Sequence, residues 1–284
     1  MTVSIAGTVS TYSSSAAETS SSVSYPSGIV AGEKLYLVAG QTDDVGYASV
    51  SGFSLLNQVQ GGGGGANYAW LAIWDKTADG TETGSVSVSS SDSGTAKRNL
   101  VLFRVSGHNG NDQIGADASG TDATQECPSV TTTQNDELVF RFSSHQGTLD
   151  SLATDVTSVA LINSGGAGSN SLGVAYSVQA AAGSTGVSTF TTATSKNWAA
   201  TTISVKPAAS GGLTITSVTP SSFDSGIAGI VIAGSGFGAS QGSSTVDIGG
   251  QAQTVTAWSD MSITITSARG SNSMGSAQLN VTIK

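Results

Sequence analysis

Charge is scarce in this chain. Asp, Glu, Lys and Arg make up 10% of its 284 residues, against roughly 25% in an ordinary soluble protein. What charge there is leans acidic, 19 carboxylates to 10 basic side chains for a formal net charge of −9. No basic field is offered to a nucleic-acid backbone, and no nucleic-acid partner is expected. There is one cysteine, Cys127, so no intrachain disulfide can form and stability must come from packing and strand pairing. No stretch approaches about 18 consecutive apolar residues, so no helical membrane span is expected. The start, Met1-Thr-Val-Ser-Ile-Ala-Gly7, has neither the basic nor the apolar region of a secretory leader, and a cleaved signal is not expected. Apolar residues do not recur at spacings of three and four, which leaves no amphipathic helix.

What is present is glycine, 37 of them, with serine and threonine filling most polar positions. Short apolar or β-branched runs alternate with Gly, Ser, Asn and Asp turns at the spacing of sandwiches and barrels. The clear strand candidates are Lys34–Gln41, Tyr68–Asp75, Ser85–Ser89, Asn99–Ser106, Glu137–Ser143, Val156–Ile162, Leu172–Val178, Val187–Thr192 and Ala200–Val205. In the run Tyr68–Trp74 both alternating faces are apolar, as in a central strand covered on both sides. In Asn99–Val105, the face made by Val101, Phe103 and Val105 is the expected core side, and Leu100, Leu102 and Arg104 share the other. The expected class is all-β: a large, jelly-roll-like N-terminal β-sandwich over residues 1–206 and a small immunoglobulin-like sandwich over 213–284. The segment Pro207-Ala-Ala-Ser-Gly-Gly212 reads as a flexible linker between them. The part before the linker carries 16 acidic and 8 basic residues, the part after it 3 and 2. The negative charge therefore belongs to the larger domain. So few charges and only four prolines are a thin defence for exposed sheet edges, which must be short or covered.

No catalytic, metal-binding or cofactor-binding residue is assigned. His108 and His145 lie in loop-like Ser-Gly-His and Ser-Ser-His contexts, and Cys127 is at no metal-ligand spacing from either; surface or turn roles are expected for both histidines. A Ser-His-Asp triad has no nucleophile elbow to carry it. Asp112, Asp117 and Asp122 in one Gly-rich stretch, Asp43-Asp44, and Asp150 with Asp155 read as solvated turns, since none matches a calcium loop and nothing pairs them for glycoside hydrolysis. Gly234-Ser-Gly-Phe-Gly238 is followed by a strand, not the helix of a dinucleotide fingerprint. Gly61–Gly65 reads as a flexible loop tip. The sequon Asn280-Val-Thr282 lies in a strand and says little without a secretory signal.

The C-terminal part contains Ile215-x-x-Val218-x-Pro220, Gly229-Ile-Val-Ile-Ala-Gly-Ser-Gly-Phe237, Val246-Asp-Ile-Gly-Gly250, Trp258-Ser-Asp260 and Ile263-Thr-Ile265. In that order these resemble the IPT/TIG domain, an immunoglobulin-like sandwich. The resemblance implies a spacer, binding or adhesion module without catalytic residues. Further upstream, Gly32-Glu-Lys-Leu-Tyr-Leu-Val-Ala-Gly40, Gly52-Phe53, Trp74-Asp-Lys-Thr-Ala-Asp-Gly-Thr-Glu-Thr-Gly84 and Val101-Leu-Phe-Arg-Val-Ser-Gly107 are similar to a β-sandwich of tailed-bacteriophage structural proteins. Together the resemblances imply a virion surface protein, a capsid decoration protein or head fibre, present in many copies. Its partners would be other virion proteins, the major capsid or tail protein, with host cell-surface glycans for the outer domain. A tail-associated host-contacting protein and a secreted carbohydrate-binding module are the alternatives. An enzyme is not expected, and no cofactor is implied.

Overall fold

The structure is a computed structural model that describes residues 2–14, 16–43, 45–62, 68–92, 94–164, 169–208, 213–221, 226–237, 241–259, 261–267 and 279–282. It divides into two compact units, Met1–Ala208 and Ala209–Lys284. The described residues form strands and turns, with no helix among them. Of the expected linker, Pro207 closes a strand and the amide of Ala208 donates to Gly107 O at 2.6 Å; residues 209–212 lie outside the described residues.

The first unit is one architecture built twice. Its first half runs through β1 (Ser4–Ser13), β2 (Ser20–Ser24), β3 (Lys34–Asp43), β4 (Ser54–Gly61), β5 (Tyr68–Thr77), β6 (Ser85–Ser89) and β7 (Lys97–Ser106). The second runs through β8 (His108–Gly120), β9 (Thr124–Cys127), β10 (Glu137–Gln146), β11 (Ser151–Leu152), β12 (Thr157–Asn163), β13 (Asn170–Gln179), β14 (Ser188–Thr191) and β15 (Trp198–Pro207). The five-stranded sheet of the first half has the order β1-β7-β3-β5-β4, and that of the second reads, from its other end, β8-β15-β10-β13-β12. A small second sheet accompanies each, β2-β6 in the first half and β9-β14-β11 in the second. Apart from β11, every strand has a counterpart in the same place. Outer strands pair with late strands, and the chain passes between a large and a small sheet in each half. This is the winding of a jelly roll, so the expected jelly-roll character is present in duplicate. Gly107 alone, at φ 70°, joins β7 to β8.

Register confirms the correspondence residue by residue. Tyr36 pairs with Phe103 in β7 as Phe140 pairs with Ile203 in β15, and Lys34 with Val105 as Leu138 with Val205. The entry to the central strand repeats as well. Gly32 and Asp136 both have positive φ, 88° and 60°. The next residue in each case is a glutamate that caps the turn before it. Glu33 Oε2 accepts the amide of Val30 at 2.9 Å, and Glu137 Oε1 accepts those of Thr133 and Gln134 at 2.8 Å. The short Gly/Asp-Glu entry fixes where each central strand begins.

The two large sheets pack face to face, and the main core lies between them. From the first half it takes Tyr36, Val38, Leu71, Ile73, Val101, Phe103 and Val105, and from the second Leu138, Phe140, Phe142, Leu172, Val174, Ile203 and Val205. Phe140 lies at its centre, with Tyr36, Phe103, Phe142 and Tyr176 at 5.0–6.4 Å between ring centroids. Burying each such side chain contributes about 1.5–3 kcal/mol. The contacts between sheets obey a pseudo-twofold: β10 on β5 is matched by β3 on β13, and β4 on β8 by β1 on β12. Edges therefore lie over edges. Asn57 on β4 donates to Asp117 Oδ1 (2.7 Å) on β8, and Ser13 on β1 donates to Asn163 O (3.4 Å) on β12. The edge strands of one half thus pack against the edge strands of the other.

Each small sheet covers the back of its large sheet. In the first half Val23, Val86 and Val88 lie over Leu35, Leu37, Ala39, Ala72, Trp74, Leu100 and Leu102. Both faces of β7 are therefore buried, not only the Val101–Phe103–Val105 face expected to be the core side. The strand candidates all correspond to observed strands, while β1, β2, β4, β8, β9 and β11 add to them.

The second unit has one sheet in the order β16-β17-β21-β20 and another in the order β19-β18-β22. These are β16 (Thr214–Thr219), β17 (Ile230–Ser235), β18 (Thr245–Ile248), β19 (Gln251–Ala252), β20 (Thr254–Ser259), β21 (Ser262–Thr266) and β22 (Leu279–Thr282). Ile230, Ile232, Phe237, Val246, Ile248, Ile263 and Ile265 form its core. Gly249 and Gly250, at φ 61° and 84°, make the two-residue hairpin between β18 and β19 that the sequence suggests. Trp258 meets Phe237 edge-on at 6.4 Å and donates its indole N–H to Phe237 O at 3.1 Å.

Candidate functional site

Polar chemistry in the first unit gathers in two places. One lies between the halves. Lys34 Nζ reaches Asp112 Oδ2 at 2.6 Å and Asp75 Oδ2 at 2.8 Å, and the Tyr36 hydroxyl donates to the same Asp112 oxygen at 2.8 Å. Burial opposes the charge on Lys34, but Asp112 and Asp75 outweigh it and raise its pKa. Burial raises the Asp112 carboxyl, with Lys34 pulling the other way. The pseudo-twofold places Leu138, Ile5, Phe140 and Tyr176 where this group has Lys34, Asp112, Tyr36 and Asp75. An ion cluster on one side of the axis thus replaces an apolar cluster on the other. A buried ion cluster of this kind contributes little net stability by itself, but losing one partner strands the other charge.

The other gathering lies in the second half, between the large sheet and its cover. Successive rows across the back of this sheet are Ser177–Val139–Ser204–Gln113, Ala175–Arg141–Thr202, Gly173–Ser143–Ala200–Ala118 and Ser171–His145–Trp198–Gly120. Gln125 and Cys127 face it from the cover, and the Phe190 ring sits against Gly173. The Arg141 guanidinium donates to the carbonyls of Pro128, Thr185 and Gly186 at 3.0–3.4 Å. Burial lowers its pKa, with Cys127 and Asp155 acting the other way. Among the described residues, Arg141 Nε, both amide atoms of Gln125, and the hydroxyls of Ser143, Thr202 and Ser204 have no hydrogen-bond partner. The same holds for both ring nitrogens of His145 and for Trp198 Nε1.

Several sequence candidates move. His145 is neither loop nor surface. It lies on β10, fully buried, because the strand runs on to Gln146. Burial brings its pKa down to about 4, with Asp150 opposing. His108 opens β8, half-buried, with Nε2 at 3.0 Å from Gly32 O and Nδ1 accepting the Gly110 amide at 2.9 Å. Asp112 and Asp117 sit on β8, not on a Gly-rich loop, since β15 supplies a ladder for this segment. Asp112 is drawn inward by Lys34, whereas Asp122 does remain in a turn, accepting the Thr124 amide. Asp150 Oδ2 accepts the Ala193 amide, and Asp155 Oδ1 accepts from Ser188 at 3.2 Å. Burial pushes the Cys127 thiol up to about 12. Gly61 belongs to β4 and not to a loop tip, while Asp44, Gly63, Gly64, Gly65, Gly238 and Asp260 lie outside the described residues. Among the described residues, no group of three or more His, Cys, Asp or Glu is placed to hold a metal ion.

In the second unit an open groove of about 520 Å³ is lined by Leu213 and Ile215 on one side and by Thr245, Asp247, Leu279 and Asn280 on the other. Residues 213–284 match the IPT/TIG domain, so the second unit is a domain of that immunoglobulin-like family. No curated protein and no solved structure matches the chain. The likeness of the first unit to tailed-phage structural proteins has no support among these comparisons.

Proposed function

We propose that the chain is a non-catalytic surface component of a particle, a bacteriophage capsid decoration protein or head fibre. The tandem jelly roll anchors it, and the IPT/TIG domain is its exposed adhesive part. The observation that carries this reading is the doubled jelly roll itself. Jelly rolls recur in capsid and lectin domains, and here two are fused face to face into one body in which the edge strands of each half pack against those of the other. Such a body is suited to be a rigid part used in many copies, where weak contacts of an outer domain gain by avidity. The partners on this reading are the major capsid or tail protein and host-surface glycans. Electron microscopy of purified particles with an antibody to the chain tests it. Label on the head supports the proposal, label at the tail tip favours a host-contacting tail protein, and unlabelled particles sink both.

A second reading, a secreted carbohydrate-binding module, draws on the open, partly polar groove of the IPT/TIG domain. It requires the purified chain to bind defined glycans in the absence of particles.

A further inference from the structure

The two covers of the first unit enclose different chemistry. Under β2 and β6 the middle of the sheet presents Trp74, Leu37 and Leu102, then Ala72, Ala39 and Leu100. Register places Ala175, Arg141 and Thr202, then Gly173, Ser143 and Ala200, at the equivalent points of the second half. Three leucines, Leu37, Leu102 and Leu100, thus become Arg141, Thr202 and Ala200, Trp74 becomes Ala175, and Ala39 becomes Ser143. The covers differ in step. Ser21 and Val23 pair with Val88 and Val86, while Gln125 and Cys127 pair with Phe190 and Ser188.

Two consequences act in the same direction. Lifting β2-β6 would expose leucine, valine and tryptophan to water, which opposes opening. Lifting β9-β14-β11 would expose a smaller apolar cluster, with Leu149, Phe190 and Trp198, and release the Arg141 bonds to Pro128, Thr185 and Gly186, but it would also hydrate groups that have no partner among the described residues when closed: Gln125, Ser143, Thr202, Ser204 and the Arg141 Nε.

We propose that β9, β11 and β14 form a flap that opens locally over the polar back of the second jelly roll, while the equivalent cover of the first jelly roll stays shut. Opening exposes a face of hydroxyls, an amide, an imidazole and a guanidinium while the aromatic core between the halves stays closed. The inference is independent of where the protein resides.

Cys127, the only cysteine, is fully buried beneath this flap, and Val23 is its register equivalent in the first half. The native chain therefore carries its own probe. Under native conditions, in the regime where closing outruns reaction, a thiol reagent should label Cys127 at least about tenfold faster than it labels Val23→Cys in a Cys127→Ser background. In the unmodified chain, hydrogen exchange of peptides covering Thr124–Cys127 and Ser188–Thr191 should outpace that of Ser20–Ser24 and Ser85–Ser89, with β3 and β10 protected alike. Arg141→Leu with Thr202→Leu, which installs the residues of the first half, should slow both readouts at the flap. Equal or greater protection of the β9 and β14 peptides in the unmodified chain would overturn the proposal, whatever the variants do.

Discussion

Tyr36 and Phe140 hold the same place in the two halves of the first unit, and they touch each other, ring centroids 5.7 Å apart at 46°. The pair lies on the pseudo-twofold, and one hydroxyl breaks its symmetry. On Tyr36 that hydroxyl donates to Asp112; on Phe140 there is nothing to donate. Because phenylalanine already occupies the equivalent site, Tyr36→Phe should leave the packing intact and remove one charge-assisted hydrogen bond. The expected loss is about 1.5–3 kcal/mol, read as a lower urea midpoint with an unchanged slope. An unchanged midpoint would mean that the bond contributes nothing net.

Removing Lys34 alone is expected to be harsher. Lys34→Leu would leave Asp112 buried beside Asp75 with only the tyrosine hydroxyl for company, a loss of about 3–5 kcal/mol. Adding Asp112→Ile should recover most of it, since Leu138 and Ile5 already form the apolar version across the axis. A double-mutant cycle on thermal stability measures this. Additive losses would show that the two sites are not coupled.

His145 should make the protein sensitive to acid. Its folded pKa, about 4, lies below the ordinary 6.5, so the unfolded chain binds the proton more readily. The stabilising neutral form is fully present above about 6.5 and is lost as pH falls towards 4. His145→Gln places there the residue found at the equivalent Gln41 and removes this titration. The difference in stability between wild type and variant should shrink or reverse by roughly 1–2 kcal/mol from pH 7 to pH 4.5, after allowance for solvent screening. Parallel pH profiles for the two proteins would contradict the assignment.

Gly61 marks a point where the halves leave no room. A Cβ there would stand 1.7 Å from the carbonyl oxygen of Trp198, a backbone atom that cannot turn aside. Gly61→Ala should destabilise the first unit by about 1–3 kcal/mol or more. Gly52→Ala, with nothing within 4 Å but a φ of 77°, tests backbone strain alone and should cost only about 1 kcal/mol. Denaturant titration of both variants separates the two effects, and equal losses would argue against a clash at Gly61.

Much of the architecture was legible because period-two patterning is a local property. A strand such as β6 could be bounded at Ser85 and Ser89 from its alternating valines, and the paired glycines at 249 and 250 announced their hairpin. The family of the second unit was legible for the same reason, since its proline, glycines and tryptophan occur in a fixed order along the chain. Among the strands that escaped notice, β4 and β8 are rich in Gly, Ser, Asn and Gln, and β1 in Ser, Thr and Gly. Their extended form comes from a neighbour's ladder, and no hydrophobic alternation marks it in advance.

By itself, then, the sequence determined that the protein is built of strands, that no disulfide supports it, and where the immunoglobulin-like domain lies. Only the tertiary structure decided that the first unit is one jelly roll made twice. The halves share the Gly/Asp-Glu entry and a few apolar identities such as Leu71 and Leu172, but elsewhere leucine faces arginine and arginine faces tryptophan. Repetition survives in the pairing of backbones, which many side chains can satisfy, and it is erased where each half packs against a different cover. The same reason hid the buried histidine and the ion cluster. Whether a polar side chain points to water or to the interior depends on which sheet comes to lie over it, and that is set by contacts distant in the chain.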